Sequence, residues 1–99
     1  MGHVRSPQAD SDLDSIWYYA ASGSGSVEIA DRLIDSIAER FFLLSKYPNV
    51  GRRRDDDLRP GLRSFPTGEY IIIYRLRDDD VLILRVLRGA RNLHSLFGR

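Results

Sequence analysis

Ninety-nine residues with a formal net charge of +1, 42% hydrophobic side chains and no cysteine describe a single domain over 1–99. Without cysteine there is neither a disulfide framework nor a thiolate metal site, and no run of about 18 apolar residues exists to span a bilayer. No basic flank followed by an apolar core opens the chain, so no signal peptide is expected and the cytoplasm is the expected compartment.

The near-neutral total hides an asymmetry. Residues 1–50 carry 4 basic and 7 acidic side chains, a net of −3, while residues 51–99 carry 11 basic and 7 acidic, a net of +4. Fourteen of the fifteen basic residues are arginine, whose planar fork suits carboxylate or phosphate. A coding bias toward arginine accounts for the same count.

His3 and Val4 can form an edge strand. Ser6 reads as an N-cap with Pro7 in the first helical position, where its missing N–H costs nothing. Ala9, Leu13, Ile16, Trp17 and Ala20 then recur on one helical face, giving a first helix to about Ala21 with Trp17 between helix and sheet. Ser22 to Ser26, small and flexible, is the turn of a helical hairpin. Ser26 caps a second helix, with Glu28 in its first turn and an apolar stripe through Ala30, Leu33, Ile34, Ile37, Phe41 and Leu44. Pro48 stops it near Tyr47.

Asn49 to Arg59 is a polar loop in which Arg52, Arg53 and Arg54 sit beside Asp55, Asp56 and Asp57. Neighbouring opposite charges largely cancel, so a solvated loop is expected, with a phosphate site as the alternative. Leu62 to Phe65 gives a short strand, and Glu69 to Arg77 and Val81 to Arg88 form a hairpin about Asp78, Asp79 and Asp80. Strict alternation puts Tyr70, Ile72, Tyr74 and Leu76 on one face, and Ile71, Ile73, Arg75 and Arg77 on the other. Val81, Ile83, Arg85 and Leu87 alternate against Leu82, Leu84 and Val86. The mixed face of aliphatics and arginines needs a cover. Ala90 to Phe97 can add a short helical turn, and the order is β-α-α-β-β-β with a C-terminal tail, an α+β fold.

Few residues fit catalytic or metal chemistry. Asp10, Asp12 and Asp14 resemble the start of a calcium loop, but Ser15 and Ala21 stand where its glycine and terminal acid belong. His3 and His94, the only histidines, lie at opposite ends of the chain without a second ligand at metal spacing. No metal and no cofactor is expected. The arginines Arg63, Arg75, Arg77, Arg85, Arg88 and Arg91, with Tyr70 and Tyr74, could bind single-stranded nucleic acid, or lie paired on a solvent face. Because Ile71, Ile73, Val81 and Ile83 are read on the same face, a protein partner is favoured.

Several stretches together resemble the ParE branch of the RelE/ParE superfamily of bacterial type II toxin–antitoxin modules. They are Ser6-Pro7 with Ala9 and Leu13, Ile16-Trp17-Tyr18-Tyr19, Ala30-Asp31-Arg32-Leu33 and Tyr47-Pro48 with Gly51-Arg52. More specific are Leu58 to Pro66, Tyr70 to Arg75, Ile83 to Leu87 and Gly89-Ala90-Arg91. The resemblance covers nearly the whole chain. It implies an antiparallel sheet packed on an N-terminal helical hairpin, and a cognate ParD-like antitoxin that binds through an extended or helical segment. The expected antitoxin surface is Ile71, Ile73, Arg75, Arg77, Val81, Ile83 and Arg85.

Members of that superfamily are either ribosome-dependent mRNA endonucleases or toxins directed at DNA gyrase. The endonucleases place an arginine just after the tyrosine that opens the long strand, where this chain has Ile71. That departure favours gyrase inhibition without a catalytic residue. No membrane association is expected, and no sequence-specific nucleic-acid binding by the toxin alone. The target-contact candidates are Arg88, Arg91, His94, Leu96 and Phe97 in the basic and apolar tail, whose plain packing on the sheet is the alternative. For a RelE-like endonuclease the candidate site is Arg63, Arg85, Arg91 and His94.

Overall fold

Ser6 joins helix and sheet at the start of the fold. Its hydroxyl accepts from the Ala9 N–H at 3.0 Å, capping the first helix, and donates to the Leu84 carbonyl at 2.7 Å. Its own N–H donates to the Ile83 carbonyl at 2.9 Å, so one residue both begins a helix and fixes it to the sheet. The computed structural model describes residues 2–89 and 93–97. In order these are β1 (Gly2–Arg5), α1 (Pro7–Ser24), α2 (Val27–Lys46), β2 (Arg52–Arg53), β3 (Arg63–Thr67), β4 (Tyr70–Arg77), β5 (Asp80–Arg88) and α3 (Leu93–Phe97).

The helical hairpin turns more tightly than its composition suggests. Helix α1 continues through Ser24, whose hydroxyl donates back to the Ala20 carbonyl at 2.7 Å and so has no need of solvent. Gly25, at φ 71°, closes α1 in a conformation that favours glycine, and Ser26 caps α2 through the Ile29 N–H. Trp17 is half-buried and donates through Nε1 to Asp31 at 2.8 Å. It therefore clamps α1 to α2 rather than lying between helix and sheet.

The sheet has the order β1-β5-β4-β3-β2. The edge strand expected around His3 and Val4 is present but runs parallel to β5, so the sheet is mixed rather than wholly antiparallel. The loop after α2 contributes a second short edge, β2, paired antiparallel with β3. In the central hairpin Ile73 pairs with Arg85 and Tyr74 with Ile83, which leaves Leu84 as an extra residue on β5.

That bulge reverses the alternation of β5 and corrects the face assignment. Val81 and Ile83 are fully buried on the helical side with Val86, Tyr70, Ile72 and Tyr74, against Ala9, Leu13 and Ile16 of α1 and Ile37, Phe41 and Leu44 of α2. They do not share a face with Ile71 and Ile73. A second, smaller core forms on the outer face, where Leu58, Leu62 and Leu93 enclose Ile73, with Ile71, Leu84, Leu87 and Phe97 half-buried around them. The chain thus supplies much of the cover that the mixed face requires. Each fully buried aliphatic there is worth roughly 1.5–3 kcal/mol over exposure.

Candidate partner interface

The loop expected to be solvated is built around a buried cation. Arg54 is almost fully enclosed, its Nε donating to both Asp57 oxygens at 2.9 and 3.0 Å and its Nη1 to the Ser64 hydroxyl at 3.1 Å. The Arg54 hydrogen bonds hold the Asp57 carboxyl at about 2, well below its ordinary value. Asp55 accepts from the Gly61 N–H at 2.7 Å, which keeps its pKa low and closes the loop. These contacts hold Leu58 and Leu62 down over Ile73. With Arg54 committed to Asp57 and Ser64, the loop does not present it to a phosphate.

The arginines proposed as one functional set are dispersed. Arg63 donates through Nη1 to the carbonyls of Gly51 and Asn49 at 2.9 and 3.3 Å. Arg85 does not line the outer face with Ile71. It grips Asp12 of α1 through Nε and Nη2 at 2.8 and 2.9 Å, and the Val86 N–H beside the bulge donates to the same carboxylate at 2.9 Å. Hydrogen bonding to Asp12 raises the Arg85 pKa still further. Arg75 and Arg77 are exposed and make no ion pair with the described residues, so their charges are available to a partner.

The tail divides between packing and exposure. Leu93 is buried and Phe97 half-buried in the outer core, while His94 and Leu96 are exposed on α3. Arg91 lies outside the described residues. Among the described residues, Arg63, Arg85 and His94 are not drawn into one cluster: Arg63 binds the loop after α2, Arg85 binds α1, and His94 sits on the element that covers the opposite side of the sheet.

Arg88, expected to act with the tail, ends β5 and stands by the tip of the helical hairpin. Its guanidinium stands 5.6 Å from the centroid of the Tyr19 ring and 3.5 Å from Glu69. Beneath lies a cleft of about 340 Å³ between the hairpin tip and the strand ends, lined by Tyr19, Ile29, Leu33, Glu69, Tyr70 and Arg88 among others. Burial raises the pKa of the Tyr70 hydroxyl on its floor. Tyr19 and Ile29 escaped the sequence reading because only the buried stripe of each helix was followed. Their signal is that two large residues stand off that stripe where a surface helix would carry polar ones.

Residues 4–93 match the family model described as the ParE toxin of the type II toxin-antitoxin system, parDE. Toxin ParE3 of Caulobacter vibrioides is 39% identical over 100 residues, covering all of this chain and 98% of the relative. Toxin ParE1 of the same organism is 32% identical, covering 94% of each chain, and its Toxin RelE3 is 32% identical, covering 81% of this chain and 85% of the relative. Among solved structures, a chain described as the chromosomal ParDE TA system from P. aeruginosa superposes with a TM-score of 0.79 at 25% identity, covering 91% of this chain and 97% of that one.

Proposed function

The chain belongs to the ParE toxin family of type II toxin–antitoxin systems, and from that premise we propose that it inhibits DNA gyrase by binding it and is neutralised by a ParD-like antitoxin. The observation that carries the choice of target is the use of Arg85. An endonuclease of this superfamily would need cations and a proton acceptor around a ribose 2′-hydroxyl and its phosphate. Here Arg85 neutralises Asp12 on the helical side, and Ile71 follows Tyr70 where the endonuclease branch has an arginine. A toxin that works by occupying another enzyme needs no such cluster. Ile71, Arg75 and Arg77 on the outer face remain the surface proposed for the antitoxin, and Leu96 and His94 the part of the tail proposed for the target.

No helix among the described residues is long and apolar enough to cross a membrane, and a gyrase ligand acts in the cytoplasm. The competing reading, a ribosome-dependent mRNA endonuclease, draws on the RelE-named relative. Supercoiling by purified gyrase with and without the protein, beside an mRNA cleavage assay on translating ribosomes, separates the two. Inhibited supercoiling with intact mRNA is the expected result. Codon-linked cleavage with unaffected gyrase, lost in His94→Ala, would overturn it.

A further inference from the structure

We propose that the cleft beneath Arg88 is a docking site for a segment of a partner protein that carries a large apolar side chain with a carboxylate beside it. The proposal stands on this cleft alone and holds whichever enzyme the toxin acts on. Tyr19 and Ile29 are 66% and 51% exposed at its mouth. A second apolar lobe of about 210 Å³, also bordered by Tyr19, Tyr70 and Arg88, adjoins the first. Pockets built from tyrosine and arginine are where interface energy concentrates.

Arg88 decides the charge of the occupant. The Tyr19 ring holds its guanidinium at the rim, in the orientation of a cation–π contact. Its ion pair with Glu69 is long, at 3.5 Å, and the two side chains are 57% and 70% exposed. Such a pair contributes little, so Glu69 can swing into water and yield Arg88 to an incoming carboxylate at small cost. One arginine beside one glutamate matches a single carboxylate. It does not match the run of phosphates on a nucleic-acid strand, which calls for several cations along a groove.

Indole-3-propionate carries an aromatic body and a carboxylate, and titrating it into the ¹⁵N-labelled full chain tests the site by NMR. Saturable shifts are expected at Tyr19, Gly23, Ile29, Tyr70 and Arg88. Arg88→Gln, and separately the amide analogue indole-3-propanamide, should each weaken binding about tenfold. Tyr19→Ala should abolish it with the dispersion of the spectrum intact, and Arg59→Gln, on the distant loop, should leave it unchanged. Non-saturating or scattered shifts, or an undiminished affinity in Arg88→Gln, would overturn the proposal. So would micromolar self-association abolished by Tyr19→Ala, which would make the occupant a second copy of this chain.

Discussion

Tyr74 is the largest fully buried side chain among the described residues, and its hydroxyl is a polar group that the core must satisfy. It accepts from the Gly51 N–H at 2.9 Å and donates to the Pro48 carbonyl at 2.8 Å, tying the end of α2 to the middle of β4. Burial raises its pKa, so the donor keeps its proton. Gly51 is required there because a Cβ would collide with the Tyr74 hydroxyl and ring. Tyr74→Phe should cost about 1–3 kcal/mol in urea unfolding, through two partners left unpaired. Gly51→Ala should cost more, and the double variant less than the sum, since the smaller ring end makes room. Strict additivity would show that the two do not share one strained contact. Asp12 has the same standing on the other side of the hairpin. Asp12→Ala strips a guanidinium and the Val86 amide of their partner and should destabilise by about 2–4 kcal/mol, more than Arg85→Met, which leaves the amide bonded.

At the scale of the elements, β1 responds to pH through His3. The His3 ring lies against Phe41 and Phe42, with centroids 5.6 and 5.1 Å away, and its Nδ1 is 3.2 Å from the Ser45 hydroxyl. That hydroxyl gives its hydrogen to the Phe41 carbonyl at 2.9 Å, so the ring donates to it. Burial, then the neighbouring Arg5, lower the His3 pKa from 6.5. The unfolded chain therefore takes up the proton first, and the stability His3 lends is complete above about pH 6.5 and lost as pH falls. Amides of β1 should exchange faster at pH 5.5 than at 7.5 after correction for intrinsic rates, and His3→Gln should flatten the difference. An unchanged profile in His3→Gln would remove His3 as the cause. Asp57 adds a later loss of the same sign, since its stabilisation fades between its ordinary 3.8 and about 2.

The elements also mark how far the sequence could be read. Both helix caps were visible because Ser6-Pro7 and Ser26 act within four residues of chain. The existence of β1 was visible, but not its direction, which depends on pairing with a strand some eighty residues away. The bulge at Leu84 was hidden because a period of two carries no sign of a skipped pair, and it moved Val81 and Ile83 to the helical side. The second core was hidden for another reason. Leu58 and Leu62 are isolated among charges, and the contacts of Arg54 to Asp57 and Ser64, with that of Asp55 to Gly61, fold the loop back onto Ile73.

For the whole molecule the second core alters what an antitoxin can reach. Ile73 is fully buried by the chain itself, so Ile73→Lys would place a charge in a packed core and report on folding, not on binding. The outer surface left open is Ile71 toward one end of β4 and Arg75 and Arg77 toward the other, a half-buried aliphatic and two exposed charges. A ParD-like antitoxin that binds only the folded toxin should raise its stability by mass action, about 4 kcal/mol at a thousandfold excess over Kd. Arg75→Glu with Arg77→Glu should leave the melting temperature of the isolated chain within a few degrees, because neither side chain has a described ion pair to lose. The same double variant should erase much of the antitoxin-induced rise, as like charges replace complementary ones across the interface. Calorimetry of the free and bound forms reads both effects in one experiment. A full antitoxin-induced rise in the double variant would place the antitoxin elsewhere, and the Arg88 cleft at the far end of β4 would be the next surface to mutate.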